Sequence, residues 1–155
     1  MTKHIPVALT PQQRDNLAIL ADVLASPERR RALAPDVGFD MADYRHEHDS
    51  CGTVACAAGW GPIAGIAKRH KFGGWLPYCA EAFGAGVADL GGNYELHRYL
   101  FGGDWCYVDQ SPEGAANRIR TVLADGIPLD WDEGDEWQRI DYSKQLLPTP
   151  APTFR

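Results

Sequence analysis

Apolar residues along this chain recur mostly at intervals of three and four, the spacing of helices with one buried face. Leu17, Leu20, Val23 and Leu24 follow Thr10-Pro11-Gln12-Gln13, which supplies an N-cap hydroxyl, a proline at the first helical position and a capping-box glutamine in order. The pattern predicts an amphipathic helix of about four turns. Ser26-Pro27-Glu28 repeats the cap-and-proline signature and predicts a second, shorter helix through Leu33, stopped by Pro35, with a turn from Pro35 to Gly38.

After Ser50, the residues Gly52, Cys56, Gly59 and Ile63 fall on one face at helical spacing. They predict a helix from Thr53 to about Lys71 whose small residues let a neighbouring backbone approach, kinked or broken near Gly61 by Pro62. Further helices are predicted at Tyr78 to Val87, weakened by Gly84 and Gly86, and at Asn93 to Phe101, ended by Gly102-Gly103. Ser111-Pro112-Glu113 opens another, with Ala115, Ile119, Val122 and Leu123 facing inward and Gly126 as its stop, and a helical turn is expected around Trp137 to Leu147. Strand signals are sparse, with Trp105 to Val108 the one short candidate and no sustained β-branched alternation. The fold class expected is mainly α: a compact single-domain bundle of five to six short helices with Gly/Pro-rich connections over residues 1–147. A Pro-rich, extended tail at 148–155 completes the chain.

Composition narrows the partners. The 155 residues, 45% hydrophobic and 23% charged, suit one globular core. Asp and Glu number 21 against 15 Lys and Arg, for a net charge of −6, which argues against direct nucleic-acid binding. The short basic runs Arg29–Arg31 and Lys68–Lys71 read as helix ends. No run approaches a membrane span or a signal peptide, so no membrane association and a cytoplasmic location are expected, with the four cysteines reduced.

Candidate chemistry concentrates between His46 and Cys56. A zinc reading takes His46, His48, Cys51 and Cys56 as ligands. On a helix beginning near Ser50, however, the two cysteines diverge by about 140° and are offset by about 7.5 Å, too far apart for one ion, so the site works only if Cys51 lies in an extended lead-in. A nucleophile reading places Cys51 at a helix N-terminus, where unpaired amides lower a thiol's pKa, with His46 or His48 as base. Cysteine enzymes generally draw the base from a distant segment, and His70 or His97 are the others available. The plainer reading has Ser50 or Asp49 capping the helix and the cysteines filling space. No cofactor is expected.

Between Asp125 and Asp141, seven carboxylates and one basic residue, Arg139, interleave with Trp131 and Trp137. The segment reads either as a solvated loop or as a contact face for a basic partner, formed by Trp131, Asp132, Glu133, Asp135, Glu136 and Trp137. A carboxylate site for Mg or Ca lacks any defined ligand pattern.

Phe39-Asp40-Met41, followed by Cys51-Gly52-Thr53-Val54-Ala55-Cys56-Ala57-Ala58-Gly59-Trp60, resembles a group of small uncharacterised proteins encoded by tailed bacteriophages and prophages. The likeness continues more weakly through Leu100-Phe101, the Ala115 to Gly126 helix and Trp131; His46 and His48 stand outside it. It implies a phage accessory protein working in a bacterial cytoplasm and dispensable for virion structure, and it brings no activity or catalytic residues. The expectation is therefore a non-enzymatic protein that binds a host or phage protein with a basic surface through its acidic, Trp-containing C-terminal region. The alternatives are a cysteine-dependent enzyme or small zinc protein centred on Cys51, with His48 beside it, and a protein sequestering a small molecule or nucleotide in an aromatic pocket.

Overall fold

A computed structural model describes residues 3–39, 41, 46–48, 52–67, 74–134 and 137, the strands at 46–48 and 52–55 through their backbone. The fold is mainly helical, as the apolar spacing predicts. Two helices come first in the core. Helix α1 (Pro11–Ala25) begins on the predicted capping box: Thr10 Oγ1 accepts from the Gln13 amide at 3.1 Å and Gln13 Oε1 accepts from the Thr10 amide at 3.0 Å. Its buried stripe is Leu17, Leu20, Ala21 and Leu24, which lies against Ala115, Ala116, Ile119 and Val122 of α6 (Pro112–Ala124). Between them in sequence come α2 (Pro27–Leu33), capped by Ser26 as predicted, α3 (Trp60–Ile63), α4 (Trp75–Phe83) and α5 (Tyr94–Phe101). A three-residue 3₁₀ turn at Ala88–Leu90 and a five-residue one at Gly103–Tyr107 follow α4 and α5.

Polar side chains from α1 and α2 terminate neighbouring helices. The last carbonyls of a helix have no partner within it and must find one elsewhere. Asn16, 8% exposed, donates from Nδ2 to the Ala82 carbonyl near the end of α4 at 2.9 Å, while its Oδ1 accepts from Gln12 Nε2 at 2.9 Å. Arg14 donates from Nη2 to the Leu123 carbonyl of α6 at 2.7 Å, and Arg30 caps the Leu24 carbonyl of α1 in the same manner. The Asn16 and Arg14 bonds tie the bundle together across long stretches of sequence.

Among the described residues, two small sheets complete the fold. Strand β1 (His4–Ile5) pairs antiparallel with β5 (Ile127–Pro128), with Ile5 opposite Ile127. Gly126 permits this closure: its φ is +106° and a Cβ there would lie 2.2 Å from the Ile5 carbonyl oxygen. The second sheet has the order β2 (Val37–Phe39), β4 (Gly52–Ala55), β3 (His46–His48), parallel between β2 and β4 and antiparallel between β4 and β3.

This sheet corrects the reading of the motif region. Gly52–Ala55 is a central strand, so the predicted helix from Thr53 to about Lys71 does not form, and helical geometry is no argument about Cys51 and Cys56. Val37 pairs with Thr53 and His46 with Val54, so both edges of β4 are bonded to segments upstream, and its β-branched Thr53 and Val54 suit a pleat. The short α3 follows, opened by the Trp60 amide donating to the Cys56 carbonyl at 3.1 Å. Pro62 sits in its first turn, where no amide donor is needed, and starts that helix instead of kinking a longer one. Three other boundaries shift. The Pro35 to Gly38 turn shortens to Pro35–Asp36 because β2 begins at Val37. Helix α4 starts at Trp75 and stops at Gly84, whose φ of +70° ends it short of Val87. Trp105 to Val108 is no strand: Val108 donates to the Trp105 carbonyl at 3.1 Å, in a 3₁₀ turn. Cys51, Asp135, Glu136 and the tail at 148–155 lie outside the described residues, as does all but Trp137 of the turn expected at Trp137 to Leu147.

Candidate functional site

Aromatic and cationic side chains converge around Trp105. The 3₁₀ turn after α5 brings this indole back over that helix, where its Nε1 donates to the Tyr99 carbonyl at 2.8 Å. Trp131, just past β5, stacks on Trp105 with ring centroids 5.5 Å apart and planes 24° from parallel. Trp137 meets Trp105 edge to face at 4.7 Å and Trp131 at 5.0 Å, and Tyr99 packs on both Trp105 and Trp131. The two C-terminal tryptophans are half-buried and packed against the core, while Asp132 and Glu133 beside them are exposed. Arg98 lies over Trp131, 5.2 Å from its ring, and 3.6 Å from the Asp132 carboxylate.

Beneath this surface lies Arg118, which is 6% exposed. It occupies the core-facing stripe of α6 between Ala115 and Val122, a position that helical spacing otherwise reserves for apolar residues. Its guanidinium rests 3.8 Å above the Trp105 ring. Nη1 is 3.6 Å from Asp109 Oδ2, an ion pair too long for a hydrogen bond. Nε and Nη2 are closed to water and have no hydrogen-bond partner among the described residues. Burial lowers the guanidinium pKa to about 10, against the opposing pull of Asp109 and Tyr99, so the group remains a cation at neutral pH. Burial raises the Tyr99 phenol, offset in part by Arg118 and by a hydrogen bond with Thr121.

Asp109 is held in place by the start of α6. Its Oδ1 accepts from the Ser111 amide at 3.1 Å and from the Ser111 hydroxyl at 2.7 Å, and Ser111 Oγ in turn accepts from the Gly114 amide at 3.0 Å. A Cβ at position 114 would lie 1.9 Å from Asp109 Oδ2, so only glycine lets the carboxylate fold over this turn.

The cysteine region presents differently. Cys56 is 1% exposed and Cys79 fully buried in the core; burial, with Cys56 nearby, raises the Cys79 thiol far above its ordinary value and keeps it protonated. His46 pairs with Val54 and His48 with Gly52 along β3 and β4, adjacent in sequence to Cys51, which lies outside the described residues. Among the described residues, no group of three or more His, Cys, Asp and Glu side chains is placed to hold a metal ion. His97 packs against Phe101, and burial lowers its pKa, leaving it neutral at pH 7.

Of the six residues expected to form a contact face, Trp131, Asp132, Glu133 and Trp137 are thus gathered beside Trp105, and Asp135 and Glu136 lie outside the described residues. Arg118, Asp109, Gly114, Tyr99 and Arg98 were missed by the sequence reading. The available signal was Arg118 itself: a charge at the inward position of a stripe otherwise made of Ala115, Ile119 and Val122.

No known protein family, curated protein or solved structure matches this chain.

Proposed function

We propose that the chain is a phage-encoded accessory protein of the bacterial cytoplasm that acts by binding, its partner a host or phage protein with a basic surface. One observation supports this reading: Asp132 and Glu133 are exposed on a segment anchored by stacking of Trp131 and Trp137 on Trp105. Carboxylates displayed from an ordered base attract a basic partner without the entropic cost of ordering a loose loop on contact. The half-buried indoles add apolar area at the centre of the same patch.

The reading is tested by neutralising the patch, with Asp132→Asn, Glu133→Gln, Asp135→Asn and Glu136→Gln combined in one variant. A protein captured from bacterial lysate by the parent chain should be retained several-fold less by the variant. Its association rate with the parent should fall steeply with salt, and with the variant much less so. Equal capture and equal salt dependence refute the proposal.

A further inference from the structure

We propose that the Nε and Nη2 edge of Arg118 is a binding site for a small oxyanion, a carboxylate or a phosphate. The site is built, not incidental. The side chain is more than nine-tenths buried, with one face of the guanidinium over the Trp105 ring at 3.8 Å and Nη1 in an ion pair with Asp109 at 3.6 Å.

What remains is one side of the fork, the Nε–H and one Nη2–H, which point in parallel within the guanidinium plane. That spacing matches the two oxygens of a carboxylate or two oxygens of a phosphate, the bidentate arrangement for which arginine is suited and lysine is not. A ring face accepts positive charge but takes no in-plane N–H bond, so Trp105 does not satisfy these donors. Asp109 does not do so either. Its Oδ1 is committed to the Ser111 amide and hydroxyl, and Gly114 lies flush beneath its Oδ2. Two buried donors on a cation left without acceptors are costly to the fold, and an entering oxyanion would satisfy both while balancing the charge that Asp109 reaches from one side alone. Because both nitrogens are closed to water, any such bond forms in a low-dielectric setting that strengthens it. Both nitrogens are closed to water in this conformation, so entry requires a local opening of the packing, and the Trp105 indole beneath the guanidinium reports it.

This inference is independent of the protein-partner reading, since it uses none of the four acidic residues neutralised in that test. The experiment titrates the full chain with sodium phosphate and, separately, sodium acetate, with sodium chloride at matched ionic strength as the control. Intrinsic tryptophan fluorescence and the assigned Arg118 Nε–H resonance are followed. The expected result is a saturable change in both signals with at least one oxyanion and none with chloride; the anion that saturates at the lower concentration identifies the class. Arg118→Lys, which keeps the charge and removes the fork, should weaken that response at least tenfold. Should this variant fail to fold, the Nε–H resonance of the parent chain decides alone. An unmoved resonance with both oxyanions, a response to chloride equal to theirs, or an undiminished response in Arg118→Lys overturns the proposal.

Discussion

Replacing Asn16 by alanine removes the bond by which α1 closes the end of α4, and its cost can be worked from the geometry. Asn16 is 8% exposed, and its Nδ2 donates to the Ala82 carbonyl at 2.9 Å. Truncation leaves that carbonyl without this donor in a site that water reaches poorly. A buried acceptor left unsatisfied costs about 1–3 kcal/mol. Alanine recovers roughly 0.5 kcal/mol of helix propensity inside α1. The net expectation for Asn16→Ala is a loss of about 0.5–2.5 kcal/mol. For a chain of this size that corresponds to a fall of roughly 1–10 °C in Tm. Asn16→Asp keeps the shape but replaces the donor with an acceptor facing the Ala82 carbonyl oxygen, and should be the more damaging of the two at neutral pH. Urea unfolding followed by far-UV circular dichroism measures both, with an unchanged m-value showing that stability and not the denatured state has altered. If both variants unfold within about 0.5 kcal/mol of the parent, the range of ordinary surface changes, the inter-helix cap contributes nothing and the reasoning fails.

Other expectations rest on separate parts of the fold. Gly114→Ala places a methyl group 1.9 Å from Asp109 Oδ2; it should displace the carboxylate from the Ser111 cap and from Arg118, and destabilise the chain by about 1–3 kcal/mol in the same unfolding assay. Thr10→Ala removes half of the capping box and should cost about 1 kcal/mol, most of it recovered by Thr10→Ser. Cys79 gives a pH dependence of defined sign. Its thiol pKa is raised in the fold by burial, so below the ordinary value of 9 both folded and unfolded thiols are protonated and pH has no effect through this group. Above that value the unfolded thiol ionises while the folded one does not, and stability falls with a slope approaching about 1.4 kcal/mol per pH unit. Denaturation of the parent and of Cys79→Val between pH 8 and 10 should show this extra slope in the parent alone; parallel profiles would contradict it.

The helix termini were the most legible part of the chain. Thr10 with Gln13, Ser26 before Pro27 and Ser111 before Pro112 all cap the helices that their side chains announce. Gly126 ends α6 as its position suggested. Each of these signals works through a bond that closes within a few residues, so the local sequence contains both partners. The candidate contact face was legible in its composition but not in its anchoring. Nothing near Trp131 shows that its ring stacks on Trp105, a residue of a different turn.

The residues Gly52–Ala55 mark where local reading stops. Their small side chains fit the period of a helix as well as a strand, and the choice was made by Val37–Phe39 and His46–His48, which supply hydrogen bonds along both edges. Arg118 shows the same division. Its place on the inward face of α6 could be read from a spacing of three and four, yet its Trp105 and Asp109 neighbours and its buried, unpartnered Nε and Nη2 depend on how the preceding turn folds back over the helix. The sequence by itself determined the mainly helical class and the ends of those helices, because capping and amphipathic spacing act over a few residues. Tertiary structure alone decided the second sheet, the tryptophan stack and the environment of the buried cation, because strand pairing, ring stacking and desolvation are properties of segments that meet only once the chain has folded.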